Sequence, residues 1–325
     1  MSEPRICVVG AGNLSSRRIY PYIAQAGGRL AGACDRVRER SEAIARRFGG
    51  AAYDDMEAML DAEQPDGVII CIGPREHAEL ASAVLRRKIP VYTEKPPALT
   101  AGDALFVARA AKDAGVPCTT AFKKRYATAY VRAKEWLAQY SQRDWLALAI
   151  DYASAHYRNE TAAGSFLLDF AIHIIDLAGY LFGDVSEVFA YSKEGHAYAV
   201  SIRFASGAVG SLSLNDGRSF LVPTEEVELT VAGGHFMTIH NSASWRITQD
   251  GKPSEWREPP TFVSAGDSGR DTGHLAELEE FVRSVADCRP TRSDIYASYK
   301  SMVLYEAIDR SARTGQAIAV RYEPL

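Results

Sequence analysis

The fold of the first part of the chain is decided by the stretch Ile6-Cys7-Val8-Val9-Gly10-Ala11-Gly12-Asn13-Leu14-Ser15. Four apolar residues precede two glycines, and a segment with helical spacing follows, which is the order of a buried strand, a tight turn and a helix. Gly10 permits the turn, and Gly12 lets the backbone approach a phosphate group, which the amides of Asn13 and Leu14 would bind. Ser15 replaces the third glycine of the pattern G-x-G-x-x-G. The stretch predicts a site for the pyrophosphate of a dinucleotide, although the glycine pattern alone is not specific.

Short apolar runs alternate with longer amphipathic stretches through the first 120 residues. We predict strands over residues 6–9, 30–34, 67–72, 91–93 and 117–120, and helices over residues 15–26, 37–48, 76–87 and 101–114. Strands that are nearly all apolar are typical of a parallel sheet with helices on both faces. Residues 1–120 are therefore predicted to form an α/β Rossmann domain that binds NAD(P).

Asp35 lies at the end of the second predicted strand, twenty residues after Ser15. A carboxylate at this position accepts hydrogen bonds from both ribose hydroxyls of NAD. The alternative is a solvated turn residue. Arg36 follows directly and would suit the 2′-phosphate of NADP, but Asp35 would repel that phosphate. The two residues favour NAD and leave NADP open.

A second group of cofactor candidates lies where the strand over residues 67–72 ends, because ligands of open α/β sheets bind at the carboxyl ends of the strands. Gly73 and Pro74 would pack along the cofactor together with Cys71. His77 either joins them or packs at the start of the next helix.

A third strand end carries Glu94 and Lys95, followed by Pro96 and Pro97. A lysine held between a buried strand and a rigid Pro-Pro turn has little conformational freedom, which is what a positioned catalytic cation requires. A surface lysine is the usual alternative, but the ligand-facing end of a buried strand disfavours it. Glu94 and Lys95 are therefore candidate cofactor contacts, and Lys95 is also a candidate catalytic residue.

Beyond residue 120 the sequence pattern changes. We predict helices over residues 128–140, 164–181, 273–287 and 295–314, and strands over residues 145–152, 185–191, 198–204, 209–214, 226–231 and 236–240. The strands alternate apolar and polar residues, and glycine turns link them, which is typical of an antiparallel sheet with helices on one face. Residues 121–325 are predicted to form an α+β domain that binds substrate, and its C-terminal helices are candidates for packing against the first domain.

The predicted helix over residues 164–181 carries polar residues on an apolar background. Asp169 and His173 are four residues apart and share one face, with Asp176 on the same side. Polar groups on such a helix either have buried partners or face a cleft, because burying them unpaired costs about 1–3 kcal/mol. A satisfied core histidine is the alternative for His173, but the imidazole suits a general base. The pair lacks the third ligand of a metal site, so no metal is predicted.

Composition excludes several classes of protein. The 37 Lys and Arg residues against 41 Asp and Glu leave no basic field for nucleic acid or an anionic membrane. The five cysteines are widely spaced and never form a C-x-x-C pair, which argues against a disulfide framework and a structural zinc site. The N-terminal segment lacks the apolar length of a signal peptide or membrane span. We expect a cytoplasmic protein.

Six segments together resemble the glucose-fructose oxidoreductase/inositol dehydrogenase family, often called Gfo/Idh/MocA. They are GAGNLS (10–15), ACDR (33–36), TEKPPALT (93–100), AFKKRY (121–126), GSFLLDFAIHIIDLAGYLFG (164–183) and SARTGQ (311–316). They follow the family's order from one end of the chain to the other. The lysine motif followed by D-x-x-x-H is the more specific part.

The resemblance implies a Rossmann domain joined to a domain with a large open sheet, which forms the subunit interface in relatives, as a homodimer or homotetramer. It implies a catalytic set of Lys95, Asp169 and His173, with Asp169 and His173 also contacting the substrate. By analogy, His173 would remove the hydroxyl proton while hydride leaves for nicotinamide. Lys95 would hydrogen-bond the same oxygen, and Asp169 would hold Lys95 and the substrate in register.

Two departures from the family bear on the substrate and on packing. Ser15 stands where many relatives have Gly or Ala, and Lys123-Lys124 stands where the family usually has Asn-Arg. The second change indicates a different substrate or an anionic group on it. The other candidate substrate contacts are Lys123, Arg125, Tyr126, His156, Tyr157 and Asn159.

The main functional hypothesis is an NAD(P)-dependent dehydrogenase of a sugar, polyol or glycoside. One alternative is a catalytically silent dinucleotide-binding sensor or scaffold, which the retained Lys-Asp-His set disfavours. Another is an enzyme that uses transient oxidation to cleave a glycoside or eliminate a neighbouring group, and the same set does not distinguish it from a dehydrogenase.

Overall fold

The computed structural model describes residues 3–154, 164–219, 222–261 and 269–325. The backbone divides into two compact units. The first contains Met1–Phe122, His274–Tyr299 and Leu325, and the second contains Lys123–Gly273 and Lys300–Pro324.

The strands, in chain order, are β1 (Arg5–Val9), β2 (Arg29–Cys34), β3 (Ala51–Tyr53), β4 (Gly67–Ile70), β5 (Val91–Thr93), β6 (Cys118–Thr120), β7 (Trp145–Ala153), β8 (Val185–Lys193), β9 (Ala197–Phe204), β10 (Val209–Asn215), β11 (Thr224–Val231), β12 (His235–His240), β13 (Ser244–Gln249), β14 (Lys252–Arg257) and β15 (Ile318–Ala319). The helices are α1 (Asn13–Arg18), α2 (Tyr20–Ile23), α3 (Arg38–Phe48), α4 (Met56–Glu63), α5 (His77–Arg86), α6 (Ala101–Ala114), α7 (Thr128–Leu137), α8 (Ile172–Phe182), α9 (His274–Asp287) and α10 (Ile295–Thr314).

The first unit contains a six-stranded parallel sheet with the order β3-β2-β1-β4-β5-β6. In this Rossmann order the direction of strand addition reverses between β1 and β4. The central strands are buried along almost their whole length, as strands covered on both faces must be. The predicted Rossmann fold is confirmed.

Helix α9 completes the core on one face of this sheet, although it is separated from β1 by most of the sequence. Its residues Leu275, Leu278 and Phe281 pack in one apolar cluster with Ile6 and Val8 of β1. Helix α2 contributes to the same cluster, while α4, α5 and α6 contribute to a second cluster with the other residues of β1 and β4. The first sheet is therefore buried partly by a segment from near the end of the chain.

The first unit differs from the sequence prediction in two places. The single helix predicted over residues 15–26 is two short helices, because Ile19 interrupts the helical path and Pro21 has no N–H for the intrahelical hydrogen bond. The predicted ranges also omit β3 and α4. Strand β3 has only three residues, all half-buried, so its apolar pattern is too short to detect.

The second unit contains a nine-stranded sheet with the order β14-β13-β12-β11-β7-β10-β9-β8-β15. The sheet is open and mainly antiparallel, as predicted, with β7 and β10 paired in parallel at its centre. Alternate residues are buried along β9 and β11. The buried face packs against α8, where the Phe182 ring contacts the rings of Trp145 and Phe204 in tilted arrangements at centroid distances of 5.4 and 5.2 Å.

The helix predicted over residues 164–181 has a different beginning in the structure. A single π-helical stretch, Leu167–Ala171, precedes α8. Such wider turns occur mostly as insertions within α-helices, frequently at functional sites. Asp169 lies inside this stretch, and His173 lies in the first turn of α8.

Strands β13, β14 and β15 were not among the predicted elements. The first two form a hairpin at one edge of the second sheet, and β15 pairs with β8 at the other edge. Edge strands bury fewer side chains than central ones, so their sequences carry a weaker alternation of apolar and polar residues.

Candidate functional site

The glycine loop after β1 has the backbone that a dinucleotide site needs. Gly10 has a φ of +106°, and a Cβ at this position would lie 2.1 Å from the carbonyl oxygen of Cys71. Only glycine avoids both the strain and the clash. A Cβ at Gly12 would have no protein atom within 4 Å, so this part of the loop faces open space. The loop therefore leaves room for a phosphate beside the backbone of Gly12.

Ser15 takes the place of the third glycine without disturbing the loop. Its side chain is fully buried, and its hydroxyl donates a hydrogen bond to the carbonyl oxygen of Gly12 at 3.1 Å. Tyr20 donates a second hydrogen bond, from its hydroxyl to the carbonyl oxygen of Gly10, also at 3.1 Å. The two hydroxyls fix the carbonyls of the loop. Asn13 and Leu14 are exposed at the start of α1.

Asp35 is joined to the glycine loop by a direct hydrogen bond. Its Oδ2 accepts from the amide of Ala11 at 2.8 Å, and its Oδ1 accepts from the amide of Val37 at 2.9 Å. The carboxylate therefore lies beside the loop. The Arg36 side chain is 82% exposed and forms an ion pair with Glu76 at 2.9 Å.

The residues after β4 divide between the surface and the interior. Gly73 is exposed, whereas Pro74 is buried at the beginning of a short 3₁₀ turn. Burial raises the pKa of the Cys71 thiol well above its usual value, so this group is a neutral thiol that packs under the loop.

His77 is also inside the protein, with both ring nitrogens beside backbone carbonyls. Nδ1 lies 2.7 Å from the oxygen of Pro96, and Nε2 lies 3.2 Å from the oxygen of Ile72. Burial lowers the pKa of His77 below its usual value of 6.5 despite these two contacts. The neutral imidazole donates a hydrogen bond to one of these two carbonyls.

Lys95 is held by its immediate neighbours. It is half-buried between Glu94 and Pro96, which are both buried, and the peptide bond between Lys95 and Pro96 is cis. The amide of Glu94 donates to the carbonyl oxygen of Ile70 at 2.9 Å, and the amide of Lys95 donates to Oε2 of Glu94 at 3.2 Å. The backbone at Lys95 is therefore well defined at the carboxyl end of the sheet.

In the second unit, Asp169 and His173 are both half-buried on the helical segment that ends in α8. The start of this segment is fixed by Ser165, whose hydroxyl accepts from the amide of Leu168 at 3.2 Å and whose carbonyl oxygen accepts from the amide of Asp169 at 2.9 Å. The residues around them on the segment are almost all buried and apolar. The two polar side chains are therefore placed on an otherwise apolar helix, as predicted.

Asp176 differs from this pair, although the sequence places it on the same side of the helix. It is 1% exposed and accepts two hydrogen bonds from Arg125, at 2.9 and 2.6 Å. Arg125 is a candidate substrate contact in the sequence analysis, and in the structure its guanidinium is directed to this carboxylate. No local sequence pattern could have predicted the pairing, because the two residues are 51 positions apart.

The other residues of the basic segment 123–126 have distinct surroundings. Lys124 is buried in an ion pair with Glu225, which also accepts hydrogen bonds from Tyr130 and Ser242. Burial alone would raise the pKa of Glu225, but the Lys124 ammonium and the hydrogen bonds lower it below 4.5. Lys123 is half-buried and Tyr126 is buried. The other three candidate substrate contacts, His156, Tyr157 and Asn159, lie outside the described residues.

Two sequence models that describe the domains of one protein family match most of the chain. The first, described as "Oxidoreductase family, NAD-binding Rossmann fold", matches residues 4–122, and the second, described as "Oxidoreductase family, C-terminal alpha/beta domain", matches residues 152–320. The chain belongs to the Gfo/Idh/MocA oxidoreductase family. Its first part is the NAD-binding domain of that family, as the sequence motifs predicted.

Curated relatives of this family match along most of the chain. D-glucoside 3-dehydrogenase of Escherichia coli is 24% identical and covers 98% of this chain and 97% of its own. Myo-inositol 2-dehydrogenase of Thermotoga maritima is 26% identical over 79% of each chain. D-apiose dehydrogenase of Paraburkholderia graminis is 27% identical and covers 97% of this chain and 89% of its own. All three are sugar or polyol dehydrogenases.

Solved structures share the fold of this family member. Levoglucosan dehydrogenase in complex with NADH and L-sorbose has a TM-score of 0.87 at 20% identity, covering 99% of this chain and 100% of that chain. An oxidoreductase from Agrobacterium radiobacter in complex with NAD⁺, L-tartaric acid and magnesium has a TM-score of 0.83 at 17% identity, covering 98% of each chain. No helix in the described part of this chain has the length and apolar character needed to cross a membrane.

Proposed function

We propose that this protein is an NAD-dependent dehydrogenase that oxidises a hydroxyl-bearing carbon of a sugar, polyol or glycoside. The observation that carries the proposal is the glycine loop, where the open space at Gly12 and the carboxylate of Asp35 lie together. The sugar and polyol dehydrogenases among the relatives support the substrate class. Residues 1–120 are assigned to cofactor binding and residues 121–325 to substrate binding, except that residues 274–299 are part of the first compact unit.

The proposed reaction moves one hydride and one proton. Bound NAD supplies the hydride acceptor at C4 of its nicotinamide ring. His173 takes the proton of the substrate hydroxyl, so that the C–O bond becomes a carbonyl as hydride leaves the same carbon. Lys95 donates a hydrogen bond to that oxygen and stabilises the negative charge that develops on it. Asp169 accepts a hydrogen bond from the substrate and orients it.

The cofactor preference follows from Asp35. NADP carries a phosphate on the ribose hydroxyl that Asp35 would otherwise bind. The negative charges of that phosphate and of the Asp35 carboxylate would repel each other. Arg36, which would suit that phosphate, is paired with Glu76. We therefore expect Asp35→Ala to weaken the binding of NAD more than that of NADP in a fluorescence titration. Equal losses for the two cofactors would contradict the assignment.

A turnover screen tests the proposed function. Polyols, aldoses and glycosides are mixed with NAD or NADP, and reduced cofactor is followed by its absorbance. Lys95→Ala is expected to lose at least about a hundredfold in kcat, since a positioned charge stabilising a transition state contributes on that scale. Lys193→Ala, at an exposed position on β8, is the matched control and is expected to keep full activity. Full turnover by Lys95→Ala would rule out its catalytic role.

The same screen separates the alternatives. An enzyme that oxidises its substrate only transiently would release a cleaved or eliminated product without net accumulation of reduced cofactor, which product analysis detects. A silent sensor would bind NAD and turn over none of the substrates. Net formation of NADH and a carbonyl product supports the dehydrogenase.

We also propose that the protein forms a homodimer or homotetramer through the outer face of its nine-stranded sheet. Small side chains, among them Ala149, Ser201 and Ser211, lie at the centre of this face around a shallow trough of about 520 Å³, whose lining also includes the carboxylates of Asp151, Glu226 and Glu228. Exposed Tyr191 and Trp256 lie towards its edges. Small central residues permit close approach of a second sheet, and exposed aromatic groups are typical of interfaces. A cytoplasmic location remains a prediction.

A further inference from the structure

Arg125 and Asp176 form a buried bidentate ion pair in the second unit. Nε of Arg125 donates to Oδ2 of Asp176 at 2.9 Å, and Nη2 donates to Oδ1 at 2.6 Å. The residues are 5% and 1% exposed. Two parallel hydrogen bonds fix the direction of the guanidinium as well as its distance from the carboxylate.

Ser301 and Tyr180 add further contacts to this pair. The hydroxyl of Ser301, on α10, donates to Oδ1 of Asp176 at 2.7 Å. The guanidinium of Arg125 lies 5.3 Å from the centroid of the Tyr180 ring, which belongs to α8 as Asp176 does. Arg125 therefore contacts α8 at two points one helical turn apart, and α10 holds the carboxylate from another side.

Arg125 belongs to a short 3₁₀ turn, Lys123–Tyr126, that is itself fixed. Its neighbour Lys124 is buried against Glu225 at the start of β11. The backbone of the turn is also packed tightly, because a Cβ at Gly273 would lie 2.0 Å from the carbonyl oxygen of Lys123. The consecutive residues Lys124 and Arg125 thus connect the turn to the nine-stranded sheet and to α8.

Asp176 lies three residues after His173, within one turn of the same helix. The ion pair therefore sets the rotation of α8 about its axis and its position along that axis, which together set where the imidazole of His173 points. We propose that Arg125 is a positioning residue for His173, acting through Asp176. The kinetic part of this proposal rests on the proposed function, in which His173 is the base.

Stability alone is a poor explanation for such a pair. Two buried charges lose their hydration, and replacing a buried ion pair with apolar side chains of similar volume is often neutral or stabilising. Geometry is what a bidentate guanidinium adds over a lysine, whose ammonium is a compact point charge with no fixed direction. A misplacement of about 1 Å at a reacting group is enough to lower a rate a hundredfold.

The test compares Arg125→Lys with Arg132→Lys. Arg132, on α7 of the same unit, is a matched control because it also forms a bidentate ion pair. Its partner is Glu255, at 2.8 and 2.7 Å, and not a residue of α8. We expect Arg125→Lys to lower kcat at least tenfold with little change in KM, and Arg132→Lys to leave kcat within twofold of the wild type. Melting temperatures of both variants are measured to check that they are folded.

A second measurement does not need a substrate. The chain has seven histidines, so the His173 ring is assigned in a ¹H–¹⁵N spectrum of the imidazoles by its loss in His173→Gln. Arg125→Lys is expected to shift or broaden the His173 signals, whereas Arg132→Lys is expected to leave them unchanged.

The two measurements separate the proposals. A wild type without turnover on any substrate overturns the proposed function, and the His173 spectrum still decides the positioning role. His173 signals in Arg125→Lys that match the wild type, or an equal fall of kcat in both variants, overturn the positioning role.

Discussion

Nδ1 of His77 lies 2.7 Å from the carbonyl oxygen of Pro96, the residue that follows Lys95. Nε2 of the same ring lies 3.2 Å from the carbonyl oxygen of Ile72. A neutral imidazole carries one proton and donates to one of the two carbonyls, and the shorter distance favours Nδ1 as the donor. The hydrogen bond therefore restrains the backbone immediately after the candidate catalytic lysine.

The first prediction separates the two ring nitrogens. The amide nitrogen of Asn occupies roughly the place of Nδ1, and that of Gln roughly the place of Nε2. We expect His77→Asn to keep the hydrogen bond to Pro96 and most of the kcat, and His77→Gln to lose it and to lower kcat at least about tenfold. Steady-state kinetics of the two variants check this, with melting temperatures as the control for folding. Equal kcat values would argue against the restraint.

The second prediction concerns pH. Because burial lowers the pKa of His77 in the folded state below its unfolded value of 6.5, the unfolded chain binds a proton more readily than the folded one. The titration of His77 does not change the stability above this value, and it makes the protein less stable as the pH falls below it, by at most about 1.4 kcal/mol per pH unit.

Urea unfolding at several pH values between 8 and 5 measures this effect. The free energy of unfolding of His77→Asn should fall less steeply below pH 6.5 than that of the wild type. His196→Asn is the control. The hydrogen bond to Asp216 raises the pKa of His196, so this residue contributes to the pH dependence of stability with the opposite sign. Parallel curves for the wild type and His77→Asn would contradict the prediction.

The third prediction compares the two glycines of the loop. Gly10→Ala is expected to destabilise the protein by at least about 2 kcal/mol, because the alanine would have a positive φ and its Cβ would clash with the Cys71 carbonyl. Gly12→Ala meets no protein atom and is expected to keep the wild-type melting temperature. It should nevertheless weaken NAD binding at least about tenfold, because its methyl group occupies the approach of the pyrophosphate. Calorimetric titration with NAD measures the affinity of each variant. An unchanged affinity in Gly12→Ala would show that the phosphates bind elsewhere.

The fourth prediction concerns assembly. Ser211 lies on β10 between Ala149 of β7 and Ser201 of β9, at the centre of the outer sheet face. A charged, bulky side chain there would prevent a second sheet from approaching, so Ser211→Arg should convert the assembled protein to monomers. Gln139→Arg, at an exposed position beyond α7, is expected to keep the wild-type mass. Light scattering after size-exclusion chromatography measures both, and a wild type that is monomeric would end the proposal.

Most of the first sheet could be predicted from the sequence because its strands are short, apolar and separated by helical stretches. The glycine loop was predicted because its function requires a particular backbone at Gly10 and an absent side chain at Gly12. The break in the first helix could also have been found, since Pro21 stands in its middle. Edge strands were missed because they bury too little to impose a pattern.

The arrangement of the candidate site could be predicted where its residues are close in sequence. Asp169 and His173 are four positions apart, so helical geometry alone places them together. The partners of Arg125 and Lys124 were not predictable, because Asp176 and Glu225 come from distant elements and only the tertiary fold brings them together. A basic segment that the sequence presents as a candidate for substrate is, in two of its residues, neutralised inside the protein.

The place of α9 has a consequence for synthesis of the protein. One face of the first parallel sheet stays incompletely covered until residues 274–287 have left the ribosome, by which time every strand of the second sheet except β15 has been made. Apolar side chains of β1 on that face therefore lack part of their covering for much of translation, and a fragment that ends at residue 122 would lack it permanently. Expression of the cofactor-binding part alone should give aggregated material unless α9 is supplied with it.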